Sequence, residues 1–303
     1  MGITSWRGQI DRALSAIDHI GKSKYQAKRE QGWQPGDSVA GLFSHGYRNT
    51  VFDRAITFTN WLHEQYPAVR LFREVDHEMT AEFLGEKAET CTPDTIRTLL
   101  ATLKKLQEGL YALNWIHEDI VPAEWQVGGR NPPRGPYAPD EARALQQWIE
   151  ARDAEYGQAM RFILSSGARI DETLHLRADK IFAAEKRVEL IGKGGRVRRI
   201  QVLQPEVLGE LDFSRRFVYL NGTDRPNWKD DLERIVRAGC DALNIRRRGV
   251  HGFRGTAASE FISMKQALGF TEVEARRELA QWLGHNPHRT EVMYAYVPKI
   301  RVT

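Results

Sequence analysis

The stretch Arg187-Val188-Glu189-Leu190-Ile191-Gly192-Lys193-Gly194-Gly195-Arg196-Val197-Arg198-Arg199-Ile200-Gln201-Val202 decides the fold, because here the hydrophobic period changes. Val188 and Leu190, then Val197, Ile200 and Val202, sit in runs that alternate in the manner of half-buried strands, and Gly192-Lys193-Gly194-Gly195 supplies a tight turn between them. On either side the period is helical. Pro139-Asp140-Glu141 opens a helix through Ala144, Leu145, Trp148 and Ile149, a second ends near Arg169, and helical patterns return from Asp231. The reading is a mainly α fold with a small β-hairpin or three-stranded sheet in its C-terminal domain, residues 139–303.

Working back toward the N-terminus, residues 120–138 hold Pro122, Gly128, Gly129, Pro132, Pro133, Gly135 and Pro136, a density of breakers that helix and strand interiors do not tolerate. This stretch is read as a linker, and its Arg130 and Arg134 suit either a path along a duplex or plain solubility. Residues 37–119 carry amphipathic helices through Val51, Ala55, Phe58 and Leu62 and through Ile96, Leu99, Leu100, Leu103, Leu106 and Leu110, with a shorter one around Met79 to Lys87. Thr92-Pro93-Asp94 has the composition of a helix start. Residues 1–36, with Lys22, Lys24, Lys28 and Arg29, form an arm or an extra helix.

A chain of 303 residues has room for two cores. At 41% hydrophobic residues, with no apolar run of membrane-spanning length, it reads as soluble, and Met1 to Arg7 lack a secretory signal, so a cytoplasmic, nucleoid-associated address is expected. Cys91 and Cys240 fall in different predicted domains, so neither a disulfide nor a cysteine metal site is expected. The net charge of +4 permits a polyanionic partner without demanding one. Clustering is more telling: Lys186, Arg187, Lys193, Arg196, Arg198 and Arg199 face Glu189 alone, and Arg246-Arg247-Arg248 precedes His251.

Those basic runs flank a set of motifs. In order they are Gly167-Ala168-Arg169-Ile170-Asp171-Glu172, the Gly192-Lys193-Gly194-Gly195 turn, His251-Gly252-Phe253-Arg254, Leu283-Gly284-His285, and Tyr294 nine residues beyond that histidine. Any one of them is a weak match, and the ordered set is a strong one. A phosphodiester resists attack because its non-bridging oxygens repel nucleophiles and its leaving alkoxide is poor, so a site must neutralise charge and protonate the departing oxygen. Arginine suits the first task, with a planar fork that grips phosphate oxygens and stays protonated. Lysine, brought down from ~10.4 by its surroundings, suits the second. Arg169 also stands one helical turn from Glu172, the spacing of an ordinary ion pair.

The ordered set resembles the tyrosine recombinase, or phage integrase, family. The resemblance covers residues 139–303 in motif detail and residues 37–118 in general helical character. It implies that Arg169 and Arg254 hold the scissile phosphate with His251 and His285, that an acid at Glu172 buttresses the arginine, and that Lys193 protonates the departing 5′ oxygen, with Arg196 a competing candidate. Spacing from His285 selects Tyr294 over Tyr296 as nucleophile, Tyr296 standing where family members often have histidine. His288 departs from the motif and reads as DNA-facing or surface. The implied activity is site-specific cutting and rejoining of duplex DNA through a 3′-phosphotyrosine, with no metal and no other cofactor. A two-domain DNA clamp, a tetramer working through a Holliday junction, and DNA-bending accessory proteins are the implied assembly. A type IB topoisomerase, which relaxes DNA, and a catalytically idle DNA-binding regulator are the alternatives. Two departures stand out: Gly255-Thr256 follows Arg254 where histidine-threonine is frequent, and only nine residues follow Tyr294, which puts docking of a C-terminal helix on a neighbouring subunit in doubt.

Overall fold

The structure is a computed structural model that describes residues 5–34, 37–129, 135–192, 195, 197–214, 216–219, 227–287 and 290–297. The chain divides into two compact units, Met1–Pro132 and Pro133–Thr303. Lys193, Arg196, His288, Arg130 and Arg134 lie outside the described residues.

In the first unit five helices follow in order: α1 (Trp6–Ala16), α2 (Lys24–Glu30), α3 (His45–Gln65), α4 (His77–Thr90) and α5 (Pro93–Ala112). The stripe through Val51, Ala55, Phe58 and Leu62 faces inward on α3, and Ile96, Leu99, Leu103, Leu106 and Leu110 do so on α5, while Leu100 is only partly buried. Thr92 caps α5, its hydroxyl accepting from the Thr95 amide at 3.4 Å with Pro93 in the first turn. Residues 1–36 contribute α1 to this core, where Ile10, Ala13 and Leu14 have no exposed surface. Gly109 on α5 lets the α1 backbone approach, since a Cβ there would stand 2.2 Å from the Ala13 carbonyl oxygen.

The second unit begins with α6 (Pro139–Glu150) and α7 (Ala154–Ser166), then the single-turn α8 (Ile170–Leu174). Glu141 accepts from the Ala138 amide at 3.0 Å and so starts α6. On that helix Ala142, Leu145 and Ile149 are buried, whereas Ala144, placed on the apolar face by the sequence reading, is exposed. The reason is geometric: three residues separate Ala142 from Leu145 and seven from Ile149, so they share a stripe that Ala144 misses. An antiparallel sheet of β1 (Ile181–Phe182), β2 (Arg187–Ile191) and β3 (Val197–Gln201) follows in the order β1-β2-β3, with Val188 opposite Ile200. The added strand, β1, is two residues long, too short to announce itself by alternation. Helices α9 (Trp228–Ala242), α10 (Val250–Ala267) and α11 (Glu272–Trp282) close the core, and a 3₁₀ turn spans Thr290–Ala295.

The fold class is thus mainly α with one small three-stranded sheet among the described residues. Within the breaker-rich stretch 120–138, Ile120 and Val121 are buried in the first core and Tyr137 in the second. No described helix is long and apolar enough to cross a membrane.

Candidate phosphate-binding site

The site is organised by one buried carboxylate. α7 ends at Gly167, whose φ of +57° is left-handed and whose added Cβ would stand 2.4 Å from the Trp282 ring, so only glycine fits. The chain then turns into α8 with Arg169 as its first, non-helical residue. Three residues on, Glu172 accepts from the Arg169 amide at 2.7 Å and from its guanidinium Nη1 at 2.8 Å. The motif spacing therefore does two jobs, starting the helix and orienting the arginine.

Two further guanidiniums meet the same carboxylate. Arg198 reaches it from β3 with Nη2 at 2.6 Å, and Arg254 from α10 with Nη1 at 3.7 Å. Arg198 also donates to the Trp282 carbonyl, and Arg254 donates to the Gly167 carbonyl and, at 2.6 Å, to the Leu283 carbonyl. These bonds tie the α7–α8 corner, the sheet and the end of α11 into one block. His285 follows, its amide bonded to the Ala280 carbonyl at 2.7 Å and its Nε2 at 3.4 Å from Arg169 Nη2.

The charge count is uneven. Glu172 supplies one negative charge and Arg169, Arg198 and Arg254 three positive ones, with the Glu172 side chain 2% exposed and that of Arg254 1% exposed. Among the described residues the buried Nε atoms of Arg198 and Arg254 have no hydrogen-bond partner. Burial pushes the Arg254 guanidinium down to about 10, which leaves it charged at neutral pH. Burial likewise lowers Arg198, against the pull of Glu172. Burial on its own would raise Glu172, but Arg198, the Arg169 amide and Arg254 outweigh it and hold the carboxyl below the usual range. His251, exposed at the start of α10, is lowered below its ordinary value by partial loss of solvent around its ring and then by Arg254 and Arg169, which favours the neutral imidazole. A block with surplus positive charge, unsatisfied N–H groups and a neutral imidazole is built to receive an anion and to exchange a proton beside it.

Of the sequence-derived set, Arg169, Arg254 and His285 come together around Glu172, and His251 joins them across a tyrosine ring. That tyrosine is Tyr296. Its hydroxyl lies 3.3 Å from His285 Nε2, its ring centroid 5.2 Å from that of His251, and Arg254 Cζ 5.4 Å from the ring. Tyr294 is elsewhere: it is 36% exposed, with Arg276 Cζ 4.1 Å from its ring centroid. An open cavity of about 480 Å³ beside the block is lined by His251, Gly252, Gly255, Val292, Ala295 and Tyr296. Among the described residues no group of three or more His, Cys, Asp or Glu side chains is arranged to hold a metal ion.

The sequence reading missed Arg198 and the place of Tyr296. Arg198 had a signal, because it shares a face of β3 with Ile200 while Val197, Arg199 and Gln201 point outward. An arginine on the inward face of a strand requires a buried acid. Tyr296 had only the resemblance, which sets it where family members often have histidine; by itself an aromatic residue near a chain end is ordinarily core.

No family model matches the sequence, and no curated protein matches it either. Solved structures do match the fold. A XerH site-specific recombinase bound to its difH substrate in a pre-cleavage complex aligns at a TM-score of 0.62 and 15% identity, over 99% of this chain and 95% of that one. A lambda integrase dimer on a COC′ core site aligns at 0.68 and 14%, over 98% and 80%. A lambda integrase tetramer on a Holliday junction aligns at 0.66 and 13%, over 98% and 79%. The chain has the fold of these recombinases.

Proposed function

We propose that this chain, whose fold is that of XerH and lambda integrase, is a tyrosine recombinase that cuts and rejoins duplex DNA at specific sites. The observation that carries the reading is the convergence of Arg169, Arg254 and His285, with Arg198, on one buried Glu172. Fold likeness alone would support a DNA-binding relative without chemistry. Three guanidiniums on one carboxylate, paired with motif spacing that ends in a tyrosine, favour phosphoryl transfer.

In the proposed reaction the two non-bridging oxygens of the scissile phosphate lie against Arg169 and Arg254, which offset the charge that builds as a fifth oxygen approaches phosphorus. The hydroxyl of Tyr294 attacks; its proton passes to a neighbouring base, for which neutral His251 is suited, and the P–O bond to the 5′ oxygen breaks. Lys193 delivers a proton to that oxygen. The products are a 3′-phosphotyrosine and a free 5′ hydroxyl. Attack by a 5′ hydroxyl from another strand reverses the step, so no bond energy is lost and none is needed from a nucleotide. The site residues proposed are Arg169, Lys193, His251, Arg254, His285 and Tyr294, without metal or other cofactor. Residues 37–119 are proposed as the DNA-binding half of a clamp, 120–138 as its linker, and the working form as a tetramer that passes through a Holliday junction, in the cytoplasm with the nucleoid.

The test uses duplexes of random sequence carrying single nicks, so that a cleaved strand loses its 5′ end and the adduct persists. DNA that remains on the protein after denaturation is recovered and sequenced. The wild-type chain is expected to retain a defined sequence, and Tyr294→Phe to bind that sequence while retaining none. An adduct that persists in Tyr294→Phe removes the nucleophile assignment, and a wild-type chain that never forms one removes the recombinase reading. Relaxation of supercoiled DNA without exchange of strands between two sites would assign it to the type IB topoisomerases.

A further inference from the structure

The proposed reaction uses one tyrosine, yet the arginine and histidine block holds another. Tyr296 is 7% exposed, and its hydroxyl meets the same His285 Nε2 that lies 3.4 Å from Arg169 Nη2. With Arg254 Cζ 5.4 Å from its ring, that hydroxyl stands among the groups assigned to the phosphate. Tyr294 lies on Arg276, whose side chain is 4% exposed. The same arginine pairs with Glu272 at 2.9 Å and donates to the Val297 carbonyl at 2.9 Å. Arg276 thus pegs the segment on both sides of Tyr296 while the ring of Tyr296 is turned inward.

A 3₁₀ turn advances about 120° per residue, so side chains two apart point in widely different directions. Thr290–Ala295 is such a turn, and Tyr296 follows it directly. The segment can therefore present Tyr296 or Tyr294 to the block, but not both without rebuilding its backbone. The reason to present Tyr296 when DNA is absent is electrostatic and steric together. A half-buried imidazole nitrogen beside surplus positive charge is well matched by a neutral partner, and a phenol supplies one while its ring fills apolar space.

We propose that Tyr296 keeps the phosphate's place in the DNA-free chain, its hydroxyl standing where a non-bridging phosphate oxygen goes, and that an arriving phosphodiester displaces it as Tyr294 swings inward. The proposal rests on the recombinase reading for the identity of the phosphate, though not for the exchange itself. Cleavage is then coupled to occupancy: the nucleophile comes into line only when a phosphate has evicted the placeholder.

Tyr296→Phe keeps the ring and deletes the hydroxyl that bonds His285, so it isolates the claim. Two measurements are made on wild type and variant: affinity for inorganic phosphate, followed by phosphorus NMR, and the initial rate of adduct formation on a nicked duplex of the recovered sequence at subsaturating DNA. The variant is expected to bind phosphate about fivefold tighter, the worth of one neutral hydrogen bond no longer broken, and to form adduct faster by a similar factor. Phosphate affinity that is equal, weaker or undetectable in the variant overturns the proposal. So does loss of the adduct in Tyr296→Phe, which would make Tyr296 itself the attacking residue. If the wild-type chain forms no adduct at all, the recombinase reading fails while the phosphate titration still decides the exchange.

Discussion

Each unit buries a charged cluster, and the two are built to opposite rules. In the first, Lys105 is 4% exposed and its ammonium donates to Glu108 and to the Val39 carbonyl, both at 2.5 Å, while the other Glu108 oxygen accepts from the Gly41 amide at 2.5 Å. One positive charge meets one negative, and the arrangement closes on itself. In the second, one carboxylate meets three guanidiniums, and two buried N–H groups of those arginines have no partner among the described residues. Surplus buried charge is costly to hold, and on the proposed function it is the phosphate of DNA that offsets it. The comparison sets a balanced pair against a cluster with positive charge in excess.

The sharpest way to break the comparison is to neutralise each acid or base at its centre. Glu172→Gln leaves the buried guanidiniums of Arg198 and Arg254 and the partly exposed one of Arg169 without a counter-charge, and by the behaviour of buried pairs that lose one partner it should cost the second unit about 3–5 kcal/mol in denaturant unfolding. An unchanged midpoint would mean the arginines do not depend on Glu172. Arg169→Ala is expected to slow adduct formation by ~10²–10³ while leaving the unit folded, by analogy with removing one donor from a preorganised anion site. Lys105→Met, in contrast, leaves a carboxylate that is 29% exposed and still bonded to Gly41, and should cost only about 1 kcal/mol with no effect on adduct formation. A loss of cleavage in Lys105→Met would show that the two clusters are not independent.

The smallest effect is in pH. Glu172 sits below the usual carboxyl range, so its contribution to stability is fully present above an unfolded value of ~4.3 and is lost as pH falls through the folded one. His251 is also lowered, so between its ordinary ~6.5 and its folded value the unfolded chain binds a proton that the native chain does not, and stability slips in that window. Thermal midpoints should therefore decline slightly below about pH 6.5 and again below about 4.3, and His251→Gln should remove only the first decline. A first decline that persists in that variant would reassign it to another group.

What was legible in the sequence is what local physics dictates. The stripes of α3 and α5 follow from helical spacing, the hairpin from alternation and a glycine turn, and the Arg169–Glu172 pair from being three residues apart at a helix start. What was not legible depends on partners distant in the chain. Arg198 donates to the Trp282 carbonyl, 84 residues on, and His285 meets Arg169 across 116. Periodicity tells which face of β3 is inward without telling what waits there. Tyr294 and Tyr296 show the same limit most clearly, because spacing from His285 selects one tyrosine and packing seats the other.

The central claim is that surplus positive charge around Glu172 serves attack on a DNA phosphate by Tyr294. It is tested most directly by digesting the adduct formed on the recovered duplex in excess chelator and locating the attached nucleotide by fragmentation of the peptide that carries both tyrosines. The account predicts a nucleotide joined through its 3′ phosphate to Tyr294, with the released strand bearing a 5′ hydroxyl that a kinase labels directly. A nucleotide on Tyr296, a 5′ phosphate on the released strand, or cleavage that stops in chelator and returns with a divalent ion would contradict it.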